Sequence, residues 1–336
     1  MCQFYFANIE TGQWYLSMLL FSTWYCLDQT MANGTEVTEF LLLGFSEVQE
    51  LQLVHATLFL LIYLAALTGN LLIIAVTTLD RHLHTPMFFF LRHLSVLDLC
   101  LISVTVPKSF FNSVTNNNSI SFQGCVLQVF FFVLAVVSEV ALLTVMSYDC
   151  YAAICHPLRY EVIMNRGVCG KMAAASWLSG GLSGLMHMAT TFSEPFSGPN
   201  VIHQFFCDVP QLLKLSGPQG NISEYSLTVL SASSFAICFS YITVSYIRIF
   251  SAVLKMPSAE GRSKAFSTCL PHLIVVTFFI STGVSEYLIP SFNCPTGLDL
   301  LLSVFYSMVP PALNPVIYSL RNQAVKAALR RMLCLE

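Results

Sequence analysis

Two acidic side chains lie where the surrounding sequence is apolar. Asp98 and Glu139 each fall well inside a stretch of about 20 mostly apolar residues, the length that crosses a membrane as a helix. An ionised carboxylate in such a place costs at least about 2.5–3.5 kcal/mol unless it has a partner or water. We therefore expect both side chains to face the interior of a helix bundle.

The stretches that hold these carboxyl groups belong to a set of seven. The chain has 336 residues, of which 55% are hydrophobic and 10% charged, whereas a soluble domain has roughly 25% charged residues. This composition predicts an all-α membrane protein with a bundle of seven transmembrane helices. The apolar windows lie near residues 53–78, 87–110, 126–148, 170–192, 226–250, 270–290 and 299–319.

Basic residues and glycosylation sequons predict the orientation of the chain. Lys and Arg are enriched in short cytoplasmic loops, and most of them fall on the side that holds the C-terminus, with Lys108 and Lys214 on the other side. The sequons fall on the second side, which a glycosylated Asn must face; they begin at Asn33, Asn117 and Asn221. We expect an outer N-terminus, an inner C-terminus and no nucleic-acid partner.

Long motifs indicate a family. The motifs are Gly69-Asn70, the run Leu83–Leu91, the run Met146–Tyr160, the run Lys264–Cys269 with His272, and the run Pro311–Asn322. With them, the chain resembles olfactory receptors of the rhodopsin-like class, of the tetrapod type (class II), over residues 39–333. The resemblance implies a plasma-membrane receptor with a short amphipathic eighth helix. We find no phosphate loop, zinc-ligand spacing or nucleophile elbow, so we expect no enzyme activity and no metal site.

The same resemblance divides the chain. Relatives begin near a residue matching Met31, so residues 1–30 form an atypical N-terminal extension. Residues 31–52 are then an extracellular tail, residues 53–319 the transmembrane domain, and residues 320–336 a cytoplasmic amphipathic helix and tail.

The ligand site of the family lies in the outer halves of the third, fifth, sixth and seventh helices. The positions here are mostly aliphatic with a few hydroxyls, which suits a small, neutral, volatile organic molecule. Helix packing alone is an alternative explanation for about half of them. The positions are Phe132, Val133, Val136, Val137, Leu230, Ser231, Ser234, Phe235, Gly283, Val284, Tyr287 and Ser307.

Coupling to a G protein is where the chain departs from the family. Olfactory receptors carry Asp-Arg-Tyr where this chain has Asp149-Cys150-Tyr151. Arg is permanently charged and has five hydrogen-bond donors, whereas Cys is short and usually neutral. We expect Asp149 to lack its neighbouring partner and coupling to be impaired. The other positions implied in activation are Tyr246, Lys264, His272, Asn314, Pro315 and Tyr318, with a kink at Pro315.

Three functional interpretations remain. A signalling member binds an odorant, engages a stimulatory G protein of the olfactory kind and raises cyclic AMP. A second possibility is a receptor scaffold that binds ligand without coupling, through Cys150. A third is a seven-helix carrier or channel, which the missing internal repeat disfavours. The basic inner loops fit either an ordinary topological signal or a G-protein contact.

The resemblance also implies a polar network and a disulfide. It places Asp98 and Glu139 beside Asn70 and Asn314, where a hydrated sodium ion, shared protons, or two protonated carboxyls in a structural network are the alternatives. It pairs Cys125 with Cys207 across the second outer loop. The positions of the family's second loop disulfide are Ser197 and Gly217, so that bridge is missing.

Overall fold

The fold is taken from a computed structural model, which describes residues 38–43, 49–193, 196, 200–215, 222–288, 297–321 and 323–332. A helix or, in the seventh, a pair of helices lies over each of the seven predicted stretches, with residues 289 and 290 of the sixth outside the described residues. They are α1 Gln49–Leu79, α2 Pro86–Thr115, α3 Phe122–Cys155, α4 Arg166–Phe192, α5 Ile222–Leu254, α6 Ala259–Leu288, and the consecutive pair α7 Gly297–Ser307 and α8 Val309–Arg321. The residue 1–30 extension, Asn33 and Asn221 lie outside the described residues.

Short elements connect these helices. Single helical turns cover Arg81–Leu83, Pro157–Arg159 and Tyr160–Ile163, and a longer helix covers Val209–Leu215. By length and composition, four described helices are apolar enough to cross a membrane, and the bent pair α7 and α8 is a fifth candidate. In α6 the apolar part is Cys269–Gly283, because the helix begins with a polar run.

The seventh segment is broken at Met308. Residues Leu301–Ser307 and Val309–Ser319 meet at an angle of 46°, whereas Pro315 continues inside α8. The kink at Pro315 stays a prediction, and the break that the structure describes in this segment lies about two turns earlier, at Met308. The physical reason for the break is the pair Pro310-Pro311, which follows Val309 and removes two consecutive backbone N–H donors.

Helix α3 lies at the centre of the bundle, in contact with α2, α4, α5 and α6. It approaches α4 most closely at two glycines one turn apart. A methyl group added at Gly180 would lie 2.1 Å from Ser138 Oγ, and one at Gly184 would lie 2.8 Å from the Phe130 carbonyl oxygen. The helices can pack this closely only because both positions lack a side chain.

At the outer end, the chain before α1 forms a sheet with two loops. Strand β1, Glu39–Leu42, pairs antiparallel with β2, Ser119–Ser121, and parallel with β3, Val201–Ile202. Phe40 on β1 is fully buried. Beneath the sheet, Cys125 and Cys207 are joined by a disulfide with their Cα atoms 5.5 Å apart.

At the inner end, the predicted amphipathic helix is present as α9, Gln323–Met332. Its apolar side is buried at Val325 and Ala328. The Arg331 guanidinium donates to the Asp80 carboxylate at 2.5 Å, and this bond is the main reason that the pKa of Asp80 lies below its usual value. The contact joins α9 to the turn after α1.

Candidate ligand site and coupling end

Asp149, near the cytoplasmic end of α3, has a hydrogen-bond partner in the following loop. The Tyr160 hydroxyl donates to Asp149 Oδ1 at 2.7 Å. Burial raises the pKa of Tyr160, and the negative Asp149 carboxylate raises it further, so the phenol stays a neutral donor. Asp149 thus lacks a partner at the neighbouring position 150, as expected, but the chain folds back and brings the Tyr160 hydroxyl to it from eleven residues away.

Cys150 points into the bundle. Its side chain is buried in the main apolar core, where the thiol lies beside the side chains of Cys269 on α6 and Tyr246 on α5. Tyr151, the next residue, is half-buried, and its hydroxyl lies 3.2 Å from His156 Nε2. A neutral side chain therefore occupies the place between three helices where the family has its cation.

A short chain of hydrogen bonds crosses the bundle beside Cys150. His272 Nε2 on α6 lies 3.0 Å from the Leu143 carbonyl oxygen on α3, and since a carbonyl can only accept, Nε2 carries the proton. The other ring nitrogen of a neutral imidazole then accepts from Tyr246 Oη at 2.6 Å. These bonds hold the inner halves of α3, α5 and α6 together. Lys264 lies on α6, and its side chain is outside the described residues.

The acidic side chains lie in the interior, as their apolar surroundings predicted. Asp98 and Glu139 are fully buried. Asn314 Nδ2 donates to both Asp98 carboxylate oxygens at 3.0 Å, and Asn70 Nδ2 donates to the Pro311 carbonyl oxygen at 2.9 Å. Both Glu139 oxygens and Asn70 Oδ1 are buried and accept no hydrogen bond within the described part of the chain.

Helices α1 and α8 meet beside this network. A methyl group added at Gly69 would lie 2.9 Å from Pro315 Cβ, so the motif residues Gly69 and Pro315 are in direct contact. Tyr318, one turn further along α8, is buried, and its hydroxyl has no hydrogen-bond partner among the described residues.

The predicted ligand positions on α3 lie near a cluster of aromatic rings. The Phe132 ring lies 5.0 Å from that of Phe206 and 5.5 Å from that of Tyr306, between ring centres. Val136 is buried, while Val133 and Val137 are half-buried. Neither partner ring is among the positions predicted from the sequence, although Phe206 directly precedes the disulfide residue Cys207.

The predicted hydroxyl positions differ in their surroundings. Ser231 Oγ on α5 lies 3.1 Å from His187 Nε2 on α4, a buried histidine that is not among the predicted positions. Ser234 is exposed and donates to the Leu230 carbonyl oxygen of its own helix. Ser307 is fully buried and donates to the Ser303 carbonyl oxygen at 2.7 Å.

The positions on α6 are described only in part. Gly283 is half-buried, and no atom lies within 4 Å of the position that a methyl group would take there. The side chains of Val284 and Tyr287 lie outside the described residues. Leu230 is exposed and Phe235 half-buried on α5.

Comparison with known proteins decides the family. The family described as "Olfactory receptor" matches residues 59–336. The chain is 59% identical over 307 residues to Olfactory receptor 14J1 of Homo sapiens, covering 91% of this chain and 95% of that protein. Olfactory receptor 14L1 of Homo sapiens is 59% identical over 299 residues, covering 89% and 92% respectively.

The chain belongs to the olfactory receptor family. It is therefore an odorant receptor with a seven-transmembrane bundle, and not an enzyme. Olfactory receptors are multi-pass membrane proteins whose partners are small-molecule ligands and G proteins. In this olfactory receptor, the hydrogen bonds of the motif residues join α1 to α8, α2 to α8, α5 to α6, and α6 to α3.

Proposed function

We propose that this olfactory receptor binds small, neutral, volatile organic molecules in the outer half of the bundle and signals weakly through a stimulatory G protein of the olfactory kind, which raises cyclic AMP. The observation that carries the proposal is the inner end of α3, where Asp149 is bonded to Tyr160 and a buried, neutral Cys150 replaces the family's cation. The weak signalling follows from the missing charge, because Cys150 cannot make the contact that the family's Arg makes.

An apolar pocket is the chemical basis for the ligand class. The positions proposed to line it on α3 are Phe132, Val133, Val136 and Val137, beside the rings of Phe206 and Tyr306. Burial against aliphatic and aromatic side chains favours an apolar ligand, and a hydroxyl such as that of Ser231 fixes its orientation. No Lys, Arg, Asp or Glu occurs among the proposed positions, which favours neutral ligands over ions.

The inner loop after α3 offers an apolar contact for the G protein. Leu158 is 99% exposed and Val162 is 76% exposed, in the same loop segment as the exposed Arg159. Large apolar side chains this exposed, next to a positive charge, are typical of a protein interaction surface. We propose that this loop retains part of the coupling contact despite Cys150.

We also propose that the receptor lies in the plasma membrane with its N-terminus outside. The end that carries the sheet also carries the Cys125–Cys207 disulfide, and such bonds persist in the oxidising lumen and cell exterior. Asn117 is exposed at that end, where it is available for glycosylation. Arg159, Arg330 and Arg331 are exposed at the opposite end, which agrees with the enrichment of positive residues inside.

The buried carboxyl groups are proposed to hold a hydrated sodium ion or shared protons. Oxygen ligands suit a hard cation, and the Glu139 carboxylate and Asn70 Oδ1 are buried oxygens without a donor among the described residues. Asp98 and Asn314 complete the oxygen-rich surroundings. Higher thermal stability in sodium than in N-methylglucamine, lost in Glu139→Gln, is the expected result; equal stability in both salts favours the protonated network.

The coupling proposal is tested with cyclic AMP in transfected cells across a broad panel of neutral odorants. The parent is compared with Cys150→Arg, and with Cys150→Ser as a matched control that changes the thiol without adding charge. All responses are normalised to surface labelling. Since a hydrogen bond to a charged group contributes about 1.5–3 kcal/mol, we expect at least a tenfold gain in sensitivity for Cys150→Arg and none for Cys150→Ser.

The outcomes separate the three interpretations. Equal responses from the parent and Cys150→Arg would show that Cys150 does not impair coupling. A response only from Cys150→Arg identifies a ligand-binding scaffold that is silent as the natural chain. Odorant-dependent current or flux in cells lacking G proteins would support the carrier or channel instead.

A further inference from the structure

A cavity of about 400 Å³ lies between α2 and α3 at the outer end of the bundle, and none of the proposed odorant positions lines it. It is lined by Lys108 on α2, by Ser121 before α3, and by Leu127 and Phe131 along α3. Leu127 is 55% exposed and Phe131 is also exposed, so the cavity opens outward from the bundle. In a membrane, that opening faces lipid.

Lys108 lies nearer the outer end of the bundle than the apolar side chains of the cavity. Lys108 precedes the end of α2 at Thr115 by seven residues, which is about 10 Å of helix. The Gln128 amide of α3 donates to the Val104 carbonyl oxygen of α2 at 2.7 Å, so these two residues lie at about the same level. Lys108 lies four residues, or about 6 Å, further out than Val104 along α2, whereas Phe131 lies three residues further in than Gln128 along α3. The Lys108 ammonium group thus lies at the outer rim of the cavity, and apolar side chains line the part that is nearer the middle of the membrane.

The charge of Lys108 has no acidic partner in the described part of the chain. Its ammonium group lies 5.6 Å from the centre of the Phe111 ring, and no carboxylate of the described residues forms a salt bridge with it. The exposed Ser121 hydroxyl oxygen accepts from Gly124 N at 3.2 Å, which leaves its own proton free to be donated. The rim therefore presents a cation and a hydroxyl donor to an anionic group.

We propose that this cavity binds a phospholipid of the outer leaflet, with its phosphate at Lys108 and Ser121 and an acyl chain along Leu127 and Phe131. The arrangement fits an amphiphile with one anionic end and one long apolar end. The cation and the hydroxyl lie at the outer end of the cavity, and the apolar side chains lie further in. A neutral odorant would leave the Lys108 charge unused, and a free phosphate ion would leave the apolar part empty.

The site borders the structure that covers the ligand entrance. Gln128 forms part of its wall. The Gln128 amide donates to the Val104 carbonyl oxygen at 2.7 Å, and its oxygen accepts from Cys207 N at 2.8 Å. A bound lipid would thus lie beside the side chain that joins α2 to the disulfide-linked loop.

The test is native mass spectrometry of the purified full-length receptor in detergent, titrated with palmitoyl-oleoyl phosphatidylglycerol. A positive charge near a membrane surface contributes roughly a fivefold change in lipid affinity, so we expect Lys108→Gln to weaken binding about fivefold. Leu127→Trp, which fills the cavity without changing charge, should weaken it as well. Lys214→Gln, at another basic residue of the outer side, is the matched control and should bind like the parent.

Two further lipids show whether the phosphate group or the acyl chain is responsible for binding. A cationic lipid with the same type of chains should bind less than phosphatidylglycerol, and oleate should not displace it at equal concentration. Equal binding by Lys108→Gln and the parent, equal losses in Lys108→Gln and Lys214→Gln, or preferential binding of oleate would each overturn the phospholipid proposal. Gel filtration of each variant shows that it is folded before titration.

Discussion

At the scale of single residues, the inner end of α3 shows how one substitution changes the roles of its neighbours. Asp149 keeps a donor because the Tyr160 hydroxyl reaches it at 2.7 Å. Cys150 packs with Cys269 and Tyr246 instead of presenting a charge to the inner surface. The carboxylate is thus held by the loop after α3, and that loop also carries the exposed Leu158.

Tyr160→Phe removes the donor and leaves the Asp149 carboxylate buried without this bond. A hydrogen bond to a charged group contributes about 1.5–3 kcal/mol, so we expect a loss of that order, measured as a lower thermal midpoint of the detergent-solubilised receptor. Tyr225→Phe, at an exposed tyrosine, is the control. Equal midpoints for Tyr160→Phe and the parent would show that the bond does not stabilise the resting receptor.

The effect of pH on this bond follows from the sign of the shift. The folded pKa of Tyr160 is raised, so the stability it contributes is fully present below the unfolded value of about 10 and falls as pH rises above it. Tyrosine ionisation should therefore not alter the difference in thermal midpoint between the parent and Tyr160→Phe from about pH 6 to pH 9.

At the scale of helices, two kinds of contact position the functional residues. Glycines bring backbones together, as Gly180 does for α3 and α4 and Gly69 does for α1 and α8. Hydrogen bonds between side chains join helices at their inner halves, as Tyr246 and His272 do for α5 and α6. Helices in contact at a glycine cannot shift past each other without steric strain. Side-chain hydrogen bonds, in contrast, can exchange partners when helices separate.

Gly180→Ala places a methyl group 2.1 Å from Ser138 Oγ and 2.4 Å from the Leu134 carbonyl oxygen, so α3 and α4 must move apart. Overpacking of this kind costs about 1–3 kcal/mol, and we expect lower surface labelling and a lower thermal midpoint. Gly181→Ala is the matched control, because no atom lies within 4 Å of the added methyl group. Equal effects of the two substitutions would contradict the close approach at Gly180.

His272→Leu removes the bonds from α6 to Tyr246 and to the Leu143 carbonyl oxygen. We expect the inner half of α6 to open more often, which appears as faster hydrogen–deuterium exchange in peptides covering residues 259–288. His187→Leu also removes a buried histidine but affects the bond between α4 and α5, so exchange in α6 should match the parent. Unchanged exchange in His272→Leu would show that this network does not hold α6.

At the scale of the whole molecule, the two ends of the bundle are held in different ways. The outer end has a disulfide and a sheet in which β1 lies between β2 and β3. The inner end has apolar packing around Cys150, hydrogen bonds and the partly exposed Asp80–Arg331 ion pair, but no disulfide among the described residues. Exposed ion pairs contribute at most about 1 kcal/mol. Motion on ligand binding is therefore expected to be larger at the inner end.

Cys207→Ser breaks the only disulfide of the described residues and frees the loop between β3 and the following helix. Loss of a native disulfide typically costs about 2–5 kcal/mol, so we expect a large fall in surface labelling. Cys100→Ser, at an unpaired and half-buried cysteine, should be expressed like the parent. Normal surface labelling of Cys207→Ser would show that the sheet alone holds the outer end.

The sequence by itself determined the family and the bundle. Apolar length is a local property, so the seven segments could be predicted from composition, and Asp98 and Glu139 had to face inward because an ionised group in hydrocarbon is costly. The family motif around Asn314 placed this side chain beside Asp98, and Asn314 does donate a hydrogen bond to Asp98. The departure at Cys150 was visible at once, because one residue differs within a long motif.

Only the tertiary structure decided which distant residues meet. Tyr160 turning back to Asp149, His187 reaching Ser231 from α4, and β1 lying between two outer loops all depend on how the helices pack. The position of the break at Met308 was also decided by the tertiary structure. Pro310 and Pro311 follow the break, whereas Pro315 lies within α8 and packs against Gly69. Such pairings join residues far apart in the chain, and no local pattern of residue types specifies them.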